Sequence, residues 1–313
     1  MCDDDTEQDN AAYLAQEQTR IKRRAWAKGA GAAIAGVVTG CAGAKTPDAT
    51  ASPAALSTTA VPTEVDPAAT TNRMVTIETQ AGTAEAFFVA PDSGQHPAVL
   101  IWPDVAGLRD AFHTMATRLA AEGYAVLAVN PYYRSSKLPV LTEFSEWQTE
   151  EGRAKIRPMI EALSSEGISD DGAAFVAWLD QQPQVDTQRK IGTTGYCMGG
   201  PFTFRTAAAA PDRVGAIGSF HGGGLVTEEV DSPHQLLAKM NAAALVCVAS
   251  SDDDRDPKAR TTLQEAAATA NVTAEVEVYP AQHGWCVIDS PVYDPEQADR
   301  AWGRMLATFE AHL

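Results

Sequence analysis

From residue 73 onward, short apolar runs rich in β-branched residues alternate with longer segments whose apolar positions recur at helical spacing. That alternation predicts an α/β sheet covered by helices on both faces. Eight runs read as strands: Met74–Thr79, Ala84–Ala90, Ala98–Trp102, Tyr124–Val129, Lys190–Tyr196, Val214–Phe220, Ala244–Ala249 and Ala274–Tyr279. Only Gln80-Ala81-Gly82-Thr83 separates the first two, so an antiparallel hairpin is expected at one edge. Helix-length intervals separate the later strands, as parallel pairing requires. The predicted helices are Arg109–Glu122, Phe144–Ser164, Ser169–Gln182, Met198–Ala210, Pro257–Ala270 and Pro295–His312. About 240 residues in this pattern make one domain, 73–313.

The first seventy residues follow a different pattern. Residues 1–20 are polar and acidic; Lys22-Arg23-Arg24-Ala25-Trp26-Ala27-Lys28 then precedes a weakly apolar run from Gly29 to Gly40. That order matches an export signal over 1–44, and the paired arginines followed by an aromatic give it a twin-arginine character. The apolar run has twelve residues, short of the roughly 20 a membrane-crossing helix needs. Val38-Thr39-Gly40-Cys41 resembles a lipobox, which would lipidate Cys41, while Ala42-Gly43-Ala44 offers a rival cleavage site. A frayed N-terminal helix on a cytoplasmic enzyme is the alternative to export into the periplasm or envelope. Residues 45–72 are Ala, Thr, Pro and Ser with few large apolar side chains, which cannot build a core and read as a flexible tether.

Charge narrows the partners. Twenty-four Lys and Arg stand against forty-one Asp and Glu, a net charge of −17; residues 1–40, with five basic and six acidic residues, account for only one unit of it. The folded body therefore repels nucleic acid and anionic headgroups. The membrane enters only through a lipid anchor at Cys41. The five cysteines, Cys2, Cys41, Cys197, Cys247 and Cys286, contain no CxxC pair, and the six histidines lack metal-ligand spacing, so neither a disulfide scaffold nor a metal site is indicated. No cofactor is called for.

In such a sheet, ligand chemistry collects at the carboxyl ends of the parallel strands. Gly195-Tyr196-Cys197-Met198-Gly199-Gly200 lies there, between a predicted strand and an Ala-rich helix, with the form of a nucleophile elbow carrying Cys. Glycines flank such a nucleophile because its strained turn brings strand and helix too close for side chains. A helix N-terminus and a neighbouring imidazole favour the thiolate, the form that attacks carbonyl carbon. A partner acid comes from Ser250-Ser251-Asp252-Asp253-Asp254-Arg255-Asp256, where Asp252 first clears the strand, with Asp253 as the other candidate. His283, 31 residues later in His-Gly-Trp, falls where a base is needed. The order nucleophile, acid, histidine is that of the α/β-hydrolase fold. His221-Gly222-Gly223-Gly224 follows the nucleophile instead of preceding it, so it reads as a loop lining the site and not as an oxyanion motif. His113 reads as a packing or surface residue, and Cys247 and Cys286 as inert.

These motifs, with the block Pro97–Arg134, resemble the dienelactone hydrolase (carboxymethylenebutenolidase) family. The resemblance implies an α/β-hydrolase fold, about eight mostly parallel strands with helices on both faces. It also implies a lactone or ester hydrolase acting through a thioester, with Cys197 as nucleophile, His283 as base, Asp252 as orienting acid, and the Val105 and Met198 amides as oxyanion hole. The family usually has Glu where Asp104 stands, a carboxylate that helps control the resting thiol. Its substrate-binding Arg four residues past the histidine is Val287 here, and a further family Arg aligns with Arg153. The expected partner is therefore a small-molecule ester or lactone. General carboxylesterase or thioesterase activity, or a non-catalytic envelope lipoprotein that keeps the fold, are the competing readings.

Overall fold

The computed structural model describes residues 6, 8–17 and 70–313; the twin-arginine motif, the lipobox at Cys41, the rival cleavage site and nearly all of the tether lie outside the described residues. Eight strands form one sheet in the order β1-β2-β4-β3-β5-β6-β7-β8. They are β1 Thr70–Thr79, β2 Gly82–Pro91, β3 Ala98–Trp102, β4 Ala125–Val129, β5 Ile191–Tyr196, β6 Val214–Phe220, β7 Ala243–Ala249 and β8 Ala274–Tyr279. Pairing is antiparallel for β1 with β2 and β2 with β4, and parallel for every other neighbouring pair. This is the eight-stranded, mostly parallel α/β-hydrolase sheet expected from the sequence.

The sheet is covered on both faces because its strands are apolar on both. On β2, Phe88 joins one buried cluster while Phe87 and Val89 join the other; on β3, Leu100 and Trp102 face one way and Val99 and Ile101 the other. Helices α1 (Asp110–Ala121) and α9 (Pro295–His312) cover one face. The other is covered by α4 (Ser165–Leu179), α5 (Gly199–Ala209) and α8 (Pro257–Ala270).

Three elements depart from the sequence expectation. β1 begins at Thr70, taking in the last residues of the predicted tether, because Thr70, Thr71 and Asn72 pair through the main chain with Pro91, Ala90 and Val89; an edge strand needs no apolar side chains for that. The helix expected over 144–164 breaks into α2 (Phe144–Trp147) and α3 (Glu150–Glu161). Thr149 stops one and starts the other, its hydroxyl accepting from the Gly152 amide at 3.0 Å as an N-cap. The acidic loop after β7 is a short helix, α7 (Ser250–Arg255), which decides where its aspartates point. A further short helix, α6, spans Pro233–Leu236. Among the described residues no helix is long and apolar enough to cross a membrane.

Candidate active site

The carboxyl ends of β3, β5, β6, β7 and β8 bring together residues far apart in sequence. At the end of β5 the chain turns sharply into α5, and Cys197 at the apex has φ +51°, a left-handed conformation that L residues with a side chain seldom adopt. Two features hold it there. The Cys197 amide donates to the Phe220 carbonyl at 3.0 Å and its own carbonyl accepts from the Gly200 amide at 3.0 Å. The flanking glycines permit the turn: a Cβ on Gly195 would come within 2.0 Å of the Gly199 carbonyl oxygen, and one on Gly199 within 2.4 Å of that of Trp102. Glycine is required at both for close approach.

His283 lies in the loop after β8, 2 % exposed, with Nδ1 2.8 Å from Asp252 Oδ2. α7 makes this contact possible. Ser251 receives the His283 amide at 3.0 Å, and the next residue on the helix, Asp252, then faces the ring. Asp253 instead pairs with Arg260 at 3.1 Å, so of the two candidate acids it is Asp252 that touches the imidazole. Burial acts to lower the His283 pKa, but the Asp252 carboxylate and then the Cys197 sulfur outweigh it and push the pKa up to about 10. Cys197 acts on the ring both as a charge and as a hydrogen-bonding partner. The resting arrangement is therefore an imidazolium beside the sulfur.

Cys197, His283, Asp104, His221 and Val287 line one small cavity. The segments that carry the two amides expected to form an oxyanion hole lie against each other. Gly199 packs directly on the main chain of Trp102 and Pro103, placing the start of α5 against the loop that carries Val105. The Tyr132 hydroxyl reaches both sides, 2.8 Å from the Val105 carbonyl and 3.4 Å from the Met198 sulfur.

Asp104 is also where the sequence places it, but its oxygens are taken. Arg109 donates to both at 2.7 and 2.9 Å, and the Ala106 amide to one at 2.9 Å. Burial pushes the Asp104 carboxyl up, against the pull of Arg109, and the Cys197 sulfur adds to the push. The other edge of Arg109 grips Asp289 through two contacts of 2.7 Å, and Asp289 in turn accepts from the Phe144 amide at 3.1 Å. Arg153 sits on α3 and is not among the described residues lining this cavity; the guanidinium that holds Asp104 is that of Arg109. Val287 lines the cavity where a cation was noted as missing, and none of the described residues lining it is Lys or Arg.

Further contributors carried no sequence signal. Thr6 and Asn10 also line the cavity; the Asn10 amide donates to the His283 carbonyl at 3.0 Å, and Arg255 holds Asp9 at 3.0 Å and the Thr6 hydroxyl at 2.8 Å. His113 packs its ring on Phe87, 4.3 Å between centroids, beside Asp110. Cys247 and Cys286 are buried, and burial pushes both thiols up, that of Cys247 to about 12. Among the described residues no cluster of three His, Cys, Asp or Glu could hold a metal ion.

Comparison with known proteins agrees with this architecture. A protein of Yersinia pestis named as a carboxymethylenebutenolidase is 25% identical over 244 residues, covering 76% of this chain and 87% of the relative. A Synechocystis protein of the same name is 27% identical, covering 77% and 96%. A dienelactone hydrolase structure from Klebsiella pneumoniae superposes with a TM-score of 0.66 at 23% identity, over 77% of this chain and 99% of that one. P91, a dienelactone hydrolase-like promiscuous phosphotriesterase from metagenomic libraries, gives 0.63 at 23%, covering 78% and 98%; these two show the shared fold. Residues 84–313 match the dienelactone hydrolase family as a whole, and the chain belongs to that family of hydrolases.

Proposed function

We propose that this protein hydrolyses a small carboxylic ester or lactone with Cys197 as nucleophile, His283 as proton carrier and Asp252 as the acid that orients it. The observation that carries the reading is a buried imidazole held by Asp252 at 2.8 Å beside a cysteine in a strained φ +51° turn. Strain of this kind costs roughly 1–3 kcal/mol and persists where function demands it, which favours catalysis over a scaffold that merely keeps the fold.

The steps follow from the geometry. The sulfur attacks the acyl carbon, and the carbonyl π electrons move to oxygen, which the Met198 and Val105 amides stabilise. Collapse breaks the bond to the alkoxy oxygen, which takes the proton of His283 and leaves the thioester. Water then adds to the thioester carbon, giving a proton to the now neutral His283, and collapse releases the acid and restores thiolate and imidazolium. General base and oxyanion hole each contribute on the order of a hundred- to a thousandfold or more.

The substrate class follows from charge. Arg109 is consumed by Asp104 and Asp289, none of the described lining residues is Lys or Arg, and the one cation, His283, is paired with Asp252, so an uncharged acyl group is favoured over one bearing a carboxylate. The N-terminal pattern supports a location outside the cytoplasm, in the periplasm or envelope, with Cys41 as the anchoring position if it is lipidated, in which case the mature enzyme works without Thr6 and Asn10. The test is Cys197→Ala: turnover of an uncharged aryl ester is lost while the melting temperature stays within about 2 °C, a surface-like change on the usual scale. Retained turnover refutes the assignment.

A further inference from the structure

His221 stands at the end of β6, and the mechanism above leaves it without a task. Its side chain is fully buried and lines the same cavity as Cys197 and His283. Its ring meets that of His283 edge to face, 4.9 Å between centroids, and that of Trp285 at 5.2 Å. Neither ring nitrogen has a hydrogen-bond partner among the described residues. Buried polar groups are nearly always satisfied, and an exception at a reactive centre calls for a functional account.

The backbone holds the ring in place at a cost. His221 has φ +39°, a left-handed conformation that a residue with a side chain adopts under constraint. Its amide donates to the Cys247 carbonyl at 2.8 Å. Gly222, next along, packs on the nucleophile's helix: a Cβ on Gly200 would lie 2.6 Å from the Gly222 Cα, and one on Gly222 would lie 2.5 Å from the Ser219 hydroxyl. The loop cannot relax away from the elbow. Burial first, and the neighbouring His283 second, hold the His221 pKa well below the ordinary histidine range. The ring therefore stays neutral, with one nitrogen as acceptor and one as donor.

We propose that His221 holds the water that cleaves the Cys197 thioester. The proposal rests on the functional reading above and adds a residue to its second half. In that step the water oxygen bonds to the acyl carbon and one water proton passes to Nε2 of His283. The other is hydrogen-bonded to the unprotonated nitrogen of His221 and stays with the oxygen through collapse. The C–S bond breaks, the product leaves as the carboxylic acid, and sulfur and His283 return as thiolate and imidazolium. His221 takes no proton. A neutral acceptor suits this role, since an imidazolium there would repel the proton that His283 must accept.

The experiment follows formation and decay of the acetyl group on Cys197 by rapid quench and intact mass, with p-nitrophenyl acetate as the probe. His221→Phe keeps a ring against His283 and Trp285 and removes both nitrogens. The expected result is acylation, and alkylation by iodoacetamide, at wild-type rates, with decay of the acyl-enzyme slowed about tenfold or more. His221→Asn, which tolerates the left-handed backbone and retains hydrogen-bonding groups, restores part of the decay rate. Should His221→Phe not fold, His221→Ala against His221→Asn makes the same comparison. Decay at the wild-type rate in the Phe or Ala variant overturns the proposal. Equal loss of acylation and decay, with slower alkylation, also overturns it, because His221 would then act by positioning His283. If wild-type Cys197 never acquires the acetyl group, the functional reading itself fails and this inference with it.

Discussion

Replacing Arg109 by methionine tests whether the buried guanidinium holds the site together. The change keeps a long flexible side chain but removes two contacts to Asp104, at 2.7 and 2.9 Å, and two to Asp289, both at 2.7 Å. These do not add independently. Asp104, 1 % exposed, is left as an uncompensated buried carboxylate, which costs about 3–5 kcal/mol. Asp289, at 26 % exposure, retains water and adds no more than about 1 kcal/mol. A total of about 3–6 kcal/mol in a domain of this size lowers the melting temperature by on the order of 10 °C. The deficit has a definite pH dependence. Burial already raises the folded-state pKa of Asp104 above its usual 3.8, and loss of Arg109 raises it further. A carboxyl shifted in that direction favours the folded state in acid and loses that advantage as pH rises through the folded value. Denaturant melts of Arg109→Met should therefore show a gap to wild type that is smallest in acid and widens toward neutral pH. Asp104→Asn added to Arg109→Met removes the stranded charge and recovers most of the loss. A loss below about 1 kcal/mol, or no recovery in the double variant, refutes the reasoning.

Other consequences are open to the same kind of test. The His283 pKa of about 10 means that the imidazolium beside Cys197 persists past neutral pH, so iodoacetamide alkylation of Cys197 keeps its fast phase up to about that value. Asp252→Asn removes the largest influence raising that pKa and brings the break in the pH profile down toward the ordinary histidine range; an unmoved break contradicts the assignment of Asp252 over Asp253. Gly195→Ala forces a methyl to 2.0 Å from the Gly199 carbonyl and should cost more than about 3 kcal/mol in a chemical melt, well beyond the helix-propensity scale; a variant of wild-type stability would show that the elbow is not so tightly closed.

Much of this was legible in the sequence because it is written in local patterns. The period-two and continuous apolar runs located all eight strands, since the inner strands bury residues on both faces, as Val99, Leu100 and Ile101 do. Gly195 and Gly199 marked the elbow through their spacing around Cys197. The choice between Asp252 and Asp253 was not local: it depends on the helical phase of α7, which a run of polar residues does not reveal. Arg109 escaped notice because an arginine after a strand reads as a surface residue until its partner, 180 positions away, is known. The helix break at Thr149 was hidden for a related reason, being a single capping contact inside a segment of otherwise continuous helical character. The reach of Asn10 to His283, 273 positions away, leaves no periodic trace at all.

The apex at Cys197 has one further implication. Its seat is defined by main chain alone, by glycines that admit no neighbour and by the Phe220 carbonyl that receives its amide. Which atom projects from that seat is a matter of one codon, whereas moving the seat by a single position would require rebuilding the ends of three strands. Innovation in this scaffold is thus cheap in the identity of the attacking atom and in the walls around it, and all but forbidden in its location.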